Sequence, residues 1–230
     1  MAFKPERGAL MLIKVNGVTL YYEKAGRGRP FILLHGNGES HVIFDVLIEQ
    51  LSPQYTVYAI DSRDHGKSSK AKNLDYRDMM EDIAAFIREL AMDPPIVFGF
   101  SDGGIVGLLL AIHYPELMAK LIISGANTHP DGMKKFTTLM MKVTYFFTRS
   151  RKYRLMLTQP HISDSELHTI VTPTLVLAGS KDMVRDEHTK SIAENIPGSV
   201  LRILDGESHS SYVIHSTKLY GIQEPFLAEG

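Results

Sequence analysis

The chain contains no cysteine. That excludes a disulfide framework, a thiolate metal site and a cysteine nucleophile. Neither sign of charge is in excess: 25 Lys and Arg face 26 Asp and Glu, for a net charge of −1. Nothing global therefore draws the chain to nucleic acid or to an anionic membrane. No apolar run reaches the ~20 residues that a membrane-spanning helix needs. The opening residues, Met1-Ala2-Phe3-Lys4-Pro5-Glu6-Arg7, lack the apolar core and small-residue cleavage site of a secretory signal. These absences lead to the expectation of a cytoplasmic protein with no membrane span and no nucleic-acid partner. At 230 residues, with 44% hydrophobic and 22% charged residues, the chain has ordinary globular composition and is long enough to bury one large core.

What is present is an alternation of buried strands and helices. Leu10 to Val15 and Thr19 to Lys24 flank Asn16-Gly17, a hairpin signal. Phe31 to Leu34, Val57 to Ile60, Ile96 to Phe100, Leu121 to Ile123, Thr174 to Ala178 and Val200 to Leu204 are apolar nearly throughout. Strands of that kind are covered on both faces, which implies a mostly parallel sheet. Helical stretches lie between them, at about 42–51, 76–92, 103–113 and 187–195, with another near the C-terminus. The pattern predicts an α/β fold: about eight strands, an antiparallel N-terminal edge, and helices on both faces. From 131 to 168 the rhythm breaks. Phe136, Leu139, Met140, Val143 and Phe147 recur at helical spacing, so this segment reads as a helical insertion between a core of 1–130 and 169–230.

Chemistry is concentrated in Gly99-Phe100-Ser101-Asp102-Gly103, between an apolar strand and an apolar helix. In a strand–turn–helix elbow the middle serine is held strained and exposed, and the glycines two residues away on each side leave room for it. A serine hydroxyl needs a base, and the base needs an orienting acid. Asp182 follows the strand at 174–178, and His209 follows the strand at 200–204. Asp186 and Asp205 are alternatives for the acid, and His215 and His188 for the base. His35-Gly36-Asn37-Gly38 follows the strand at 31–34. The backbone N–H groups of Asn37 and Asp102 are its candidate oxyanion donors, each contributing ~3 kcal/mol in such sites. His35 and His65 read as loop-holding residues. His129, His161 and His168 have no metal-ligand spacing, and Gly26-Arg27-Gly28 reads as a turn rather than a phosphate loop.

With these residues in place, the chain resembles the α/β-hydrolase superfamily over nearly its whole length. The matching segments are His35-Gly36, Asp61-Ser62-Arg63-Asp64-His65-Gly66-Lys67-Ser68-Ser69, the serine elbow, and the Asp182 and His209 loops. Asp64 stands where the family pattern has glycine. The resemblance implies Ser101, Asp182 and His209 as a triad, no metal or organic cofactor, and a short lid at 131–168. It leaves three readings open: a carboxylic ester hydrolase, a carbon–carbon bond hydrolase acting on an acidic diketone-type substrate, and a ligand receptor without turnover.

The lid adds a charge feature. Lys134, Lys135, Lys142, Arg149, Arg151, Lys152 and Arg154 lie between Asp131 and Thr158, with Asp131 the one acid there. Such a segment either is a solvated face, recognises an anionic small-molecule substrate, or docks on an anionic surface. Met140, Phe147 and Arg149 are its candidate substrate-binding residues.

Overall fold

A computed structural model describes residues 11–228 of the chain. The opening segment discussed above lies outside the described residues. The hairpin forms as expected: β1 (Met11–Val15) pairs antiparallel with β2 (Val18–Gly26) through a turn at Asn16-Gly17, where both residues have positive φ. After β3 (Arg29–Leu34), a short 3₁₀ turn at His41–Phe44 precedes α1 (Asp45–Leu51). The helix expected from 42 therefore starts later, at Asp45. β4 (Tyr55–Ile60), α2 (Tyr76–Glu89), β5 (Ile96–Phe100), α3 (Asp102–His113) and β6 (Lys120–Ser124) follow. Beyond the lid come β7 (Thr174–Lys181), α7 (Asp186–Asn195), β8 (Val200–Ser208) and α8 (Lys218–Ala228).

The strands form one sheet in the order β1-β2-β4-β3-β5-β6-β7-β8. Only the β1–β2 and β2–β4 pairings are antiparallel; every other pairing is parallel. β5 and β6 are buried along their whole length because helices cover both faces. On one face Phe86, Leu110 and Ile192 of α2, α3 and α7 join one apolar cluster. On the other, Leu47 of α1 and Leu219 and Phe226 of α8 join a second. α3 is apolar on nearly every side, which suits a helix enclosed by sheet and neighbours.

Between β6 and β7 lie three lid helices: α4 (Lys135–Thr148), α5 (Arg151–Thr158) and α6 (Asp164–Leu167). Several ties hold this segment to the core, two of them near the ends of α4. Met133 pairs antiparallel with Val184, and Lys134 N–H donates to Met183 O at 2.8 Å. Arg151 donates from its guanidinium to Ala71 O (2.8 Å) and Lys72 O (2.9 Å) and lies 3.8 Å from Asp64 Oδ2. Asp64 itself has φ +66, the left-handed conformation that explains why the family pattern has glycine there.

Candidate active site

The parallel strands β3, β5, β6, β7 and β8 all end on one rim, and each contributes a loop to the site. The elbow sits at the end of β5. Ser101 has φ 52 and ψ −115, a strained conformation between strand and helix. Sterics explain the flanking glycines. A Cβ on Gly99 would lie 2.2 Å from Gly103 O, and one on Gly103 would lie 2.2 Å from Leu34 O. The elbow is held from β6: Ser101 N–H donates to Ser124 O at 2.8 Å.

His209 and Asp182 meet as expected. His209 Nδ1 lies 2.7 Å from Asp182 Oδ1, and the imidazole rests on the Phe100 ring at 4.9 Å between centroids. That ring contact sets the imidazole beside the residue preceding Ser101. β7 and β8 run further than expected, to Lys181 and Ser208, so Asp182 and His209 are the first residues past their strand ends. Burial works to raise the Asp182 carboxyl, but the His209 hydrogen bond and charge and the Val184 N–H outweigh it, and its pKa lies below the ordinary value. Asp182 is therefore a carboxylate at neutral pH. The competing residues are engaged elsewhere. His215 Nδ1 contacts Asp45 Oδ1 at 2.8 Å, His188 Nε2 accepts from Thr128 N–H at 3.0 Å, and Asp205 Oδ1 accepts from Ser180 Oγ at 3.4 Å. Asp186 opens α7.

The two expected oxyanion residues are joined by their own side chains. Asn37 Nδ2 donates to Asp102 Oδ2 at 2.8 Å, and Tyr76 O–H donates to Asp102 Oδ1 at 2.8 Å. Asp102 opens α3, so its N–H belongs to the first helical turn, which has no intrahelical acceptor. Burial pushes its carboxyl up to about 6 and pushes the Tyr76 phenol well above its ordinary value. Glu39, held high chiefly by burial, accepts the Gly36 N–H at 2.9 Å and fixes the turn before Asn37. His35 accepts from Ser62 N–H at 3.0 Å, and burial lowers it to about 4. It is a loop-holding residue, as is His65, whose Nδ1 contacts Arg63 O at 2.9 Å.

The lid differs from expectation. Phe147 is 76% exposed, Met140 is 47% exposed, and Arg149 is exposed with its guanidinium over its own helix's Tyr145 and Phe146. No hydrogen bond, ion pair or ring contact links Met140, Phe147 or Arg149 to Ser101, Asp182 or His209. The buried side of α4 carries Met141, so its neighbours Met140 and Phe147 face away. Lys152 is a lid residue that does reach the site. Its carbonyl accepts from Asn37 Nδ2 at 3.4 Å, and burial lowers its ammonium pKa.

Three further site residues are not evident from motif spacing. Tyr76 opens a helix remote in sequence, and Glu39 lies just past the His35-Gly36 segment. Gly125, the residue after β6, has φ +61; a Cβ there would lie 2.6 Å from His209 Cε1 and 3.3 Å from Asp182 Oδ2. A glycine directly after an apolar strand is the one signal that marks it.

This architecture and rim define the class. Residues 29–166 match the model of the alpha/beta hydrolase fold family, and the chain belongs to that family. The serine hydrolase BPHL of Homo sapiens is 27% identical over 249 aligned residues, covering 94% of this chain and 85% of that protein. Among solved structures, the enol-lactonase from Burkholderia xenovorans LB400 superposes with a TM-score of 0.80 at 18% identity, covering 95% of this chain and 100% of that one. A meta-cleavage product hydrolase from Pseudomonas fluorescens IP01 gives 0.78 at 19% identity, covering 94% and 97%.

Proposed function

We propose that the protein is a serine hydrolase that cleaves a small carboxylic ester through an acyl-enzyme. The observation that carries this reading is the 2.7 Å contact of His209 Nδ1 with Asp182 Oδ1, on the rim that holds the strained Ser101 elbow. Ser101 Oγ attacks the acyl carbon while His209 Nε2 takes its proton. Asp182 holds the Nδ1–H tautomer and balances the imidazolium. The N–H groups of Asn37 and Asp102 receive the oxyanion, and the Asn37–Asp102 side-chain bond keeps the two donors in register. His209 then returns the proton to the leaving alcohol and activates the water that releases the acid.

The test is a panel of p-nitrophenyl esters of increasing acyl length, run beside Ser101→Ala. The wild type should turn over short esters many times. Ser101→Ala should keep the fold and lose activity by at least ~10³-fold, since removal of a triad nucleophile leaves only the contribution of binding and the oxyanion hole. Near-normal kcat in folded Ser101→Ala protein would refute the mechanism.

A carbon–carbon bond hydrolase is the second reading, and Lys152 favours it. Its side chain is half-buried, and its charge is felt by the carboxylates of Asp64 and, more weakly, of Asp102 beside the elbow, where it suits an acidic substrate. On that reading Lys152→Gln raises KM for a carboxylate-bearing substrate and leaves that of its neutral ester analogue unchanged.

A further inference from the structure

α4 is turned inside out. Phe136, Leu139, Met140, Val143, Phe146 and Phe147 fall within about 120° of its circumference at about 100° per residue, and all six are exposed, Phe136 at 73% and Phe146 at 63%. The opposite side carries Met141, 6% exposed, with Thr137, Thr138, Thr144 and Tyr145 half-buried around it. A surface helix ordinarily buries its apolar stripe and shows its polar side. Here the stripe has no cover among the described residues. Contiguous apolar surface of this kind marks a docking site.

Charge identifies the occupant. No acidic residue occurs between Asp131 and Asp164, while seven Lys and Arg do. Exposed Lys135 and Lys142 lie along one edge of the stripe, and Arg149 closes its C-terminal end with its guanidinium 5.5 Å from the Phe146 ring centroid. A second copy of this chain would set these cations against themselves. An anionic bilayer surface complements both components: cations pair with headgroups while aromatic and aliphatic side chains enter the acyl boundary. We infer that α4 is a docking face for an anionic lipid surface, on which the helix lies in the interface plane with its outward stripe immersed. The near-neutral net charge of the whole chain is compatible with this, because the attraction is local and acts within a Debye length of about 10 Å.

The test is co-sedimentation of the full chain with vesicles of phosphatidylcholine containing phosphatidylglycerol, against vesicles of phosphatidylcholine alone. Binding should require the anionic lipid and fall as salt rises. Lys135→Gln with Lys142→Gln should weaken it about twenty-five-fold, at about fivefold per cation near such a surface. Phe136→Ser with Phe146→Ser should weaken it at least tenfold, with unchanged circular dichroism and unchanged turnover of a soluble ester. Binding is read by sedimentation, so its outcome is independent of which substrate the enzyme cleaves. Three results would overturn the inference: no binding to anionic vesicles, equal binding by the Phe136→Ser/Phe146→Ser protein, or a dimer in sedimentation velocity that this same variant dissociates.

Discussion

Gly125→Ala is the sharpest single perturbation of the site. The added methyl would lie 2.6 Å from His209 Cε1, 2.7 Å from Nδ1 and 3.3 Å from Asp182 Oδ2, against ordinary contacts of 3.4 Å or more. The imidazole must therefore withdraw by roughly 0.8 Å, the difference between 2.6 and 3.4 Å. The imidazole also packs on the Phe100 ring, 4.9 Å between centroids, so it cannot slide freely to make room. Misplacement of a reacting group by about 1 Å typically costs ~10²-fold in rate, and that is the expected fall in kcat. The φ of +61 adds backbone strain of about 1–2 kcal/mol for alanine, which at this chain length lowers Tm by about 2–8 °C. Gly17→Ala separates the two effects. It has φ +76 but open space around the new methyl, so it should show a similar Tm loss with full activity. The assay is steady-state hydrolysis of p-nitrophenyl acetate alongside thermal unfolding of both variants. A Gly125→Ala enzyme with kcat within about threefold of wild type would refute the claim that His209 is confined by the β6 loop.

Asp182→Asn should lower kcat by ~10⁴-fold with little change in KM, because geometry survives while the histidine tautomer is lost; a mild effect, with a severe one at Asp186 or Asp205, would reassign the acid. Asp102 supplies a stability signature. Its folded pKa is raised from 3.8 to about 6, so the folded chain holds that proton more tightly, and the resulting stabilisation is present below pH 3.8 and lost as pH rises through 6. The Tm of Asp102→Asn relative to wild type should therefore climb over that window and level above it; a pH-independent difference would show that burial does not raise the carboxyl.

Strand positions and the elbow were legible because they rest on local rules. Wholly apolar runs mark strands buried on both faces, and glycines two residues either side of Ser101 are demanded by contacts of their added Cβ atoms with Gly103 O and Leu34 O. The pairing of His209 with Asp182 was legible because both follow parallel strands, whose ends share a rim. The lid was legible in period but not in direction. Helical spacing at Phe136, Leu139, Met140, Val143 and Phe147 finds the stripe, yet nothing in a period says which way it faces. That is decided by what the other side of α4 offers the core, and Met141 is buried there. Tyr76 escaped notice, and Lys152 was seen only as one of seven basic lid residues, for a different reason: each reaches the elbow by tertiary placement of a helix, with no motif around it. Gly125 was hidden because its requirement comes from an imidazole 84 residues away, the separation from 125 to 209.

The Met133–Val184 pairing and the Lys134–Met183 hydrogen bond stitch the start of the lid to the loop that follows β7 and holds Asp182. The root of the lid and the loop of the acid thus form one seam, fixed on one side by β7 and on the other by the entry to α4. Length and composition between Lys134 and the start of β7 can change without unpicking that seam, and so without altering where the acid stands. Specificity and surface attachment can then diverge among descendants of this chain while the hydrolytic machinery stays in tune. The expected mark of such a history is a family whose members differ most in the number and character of helices between Lys134 and the start of β7.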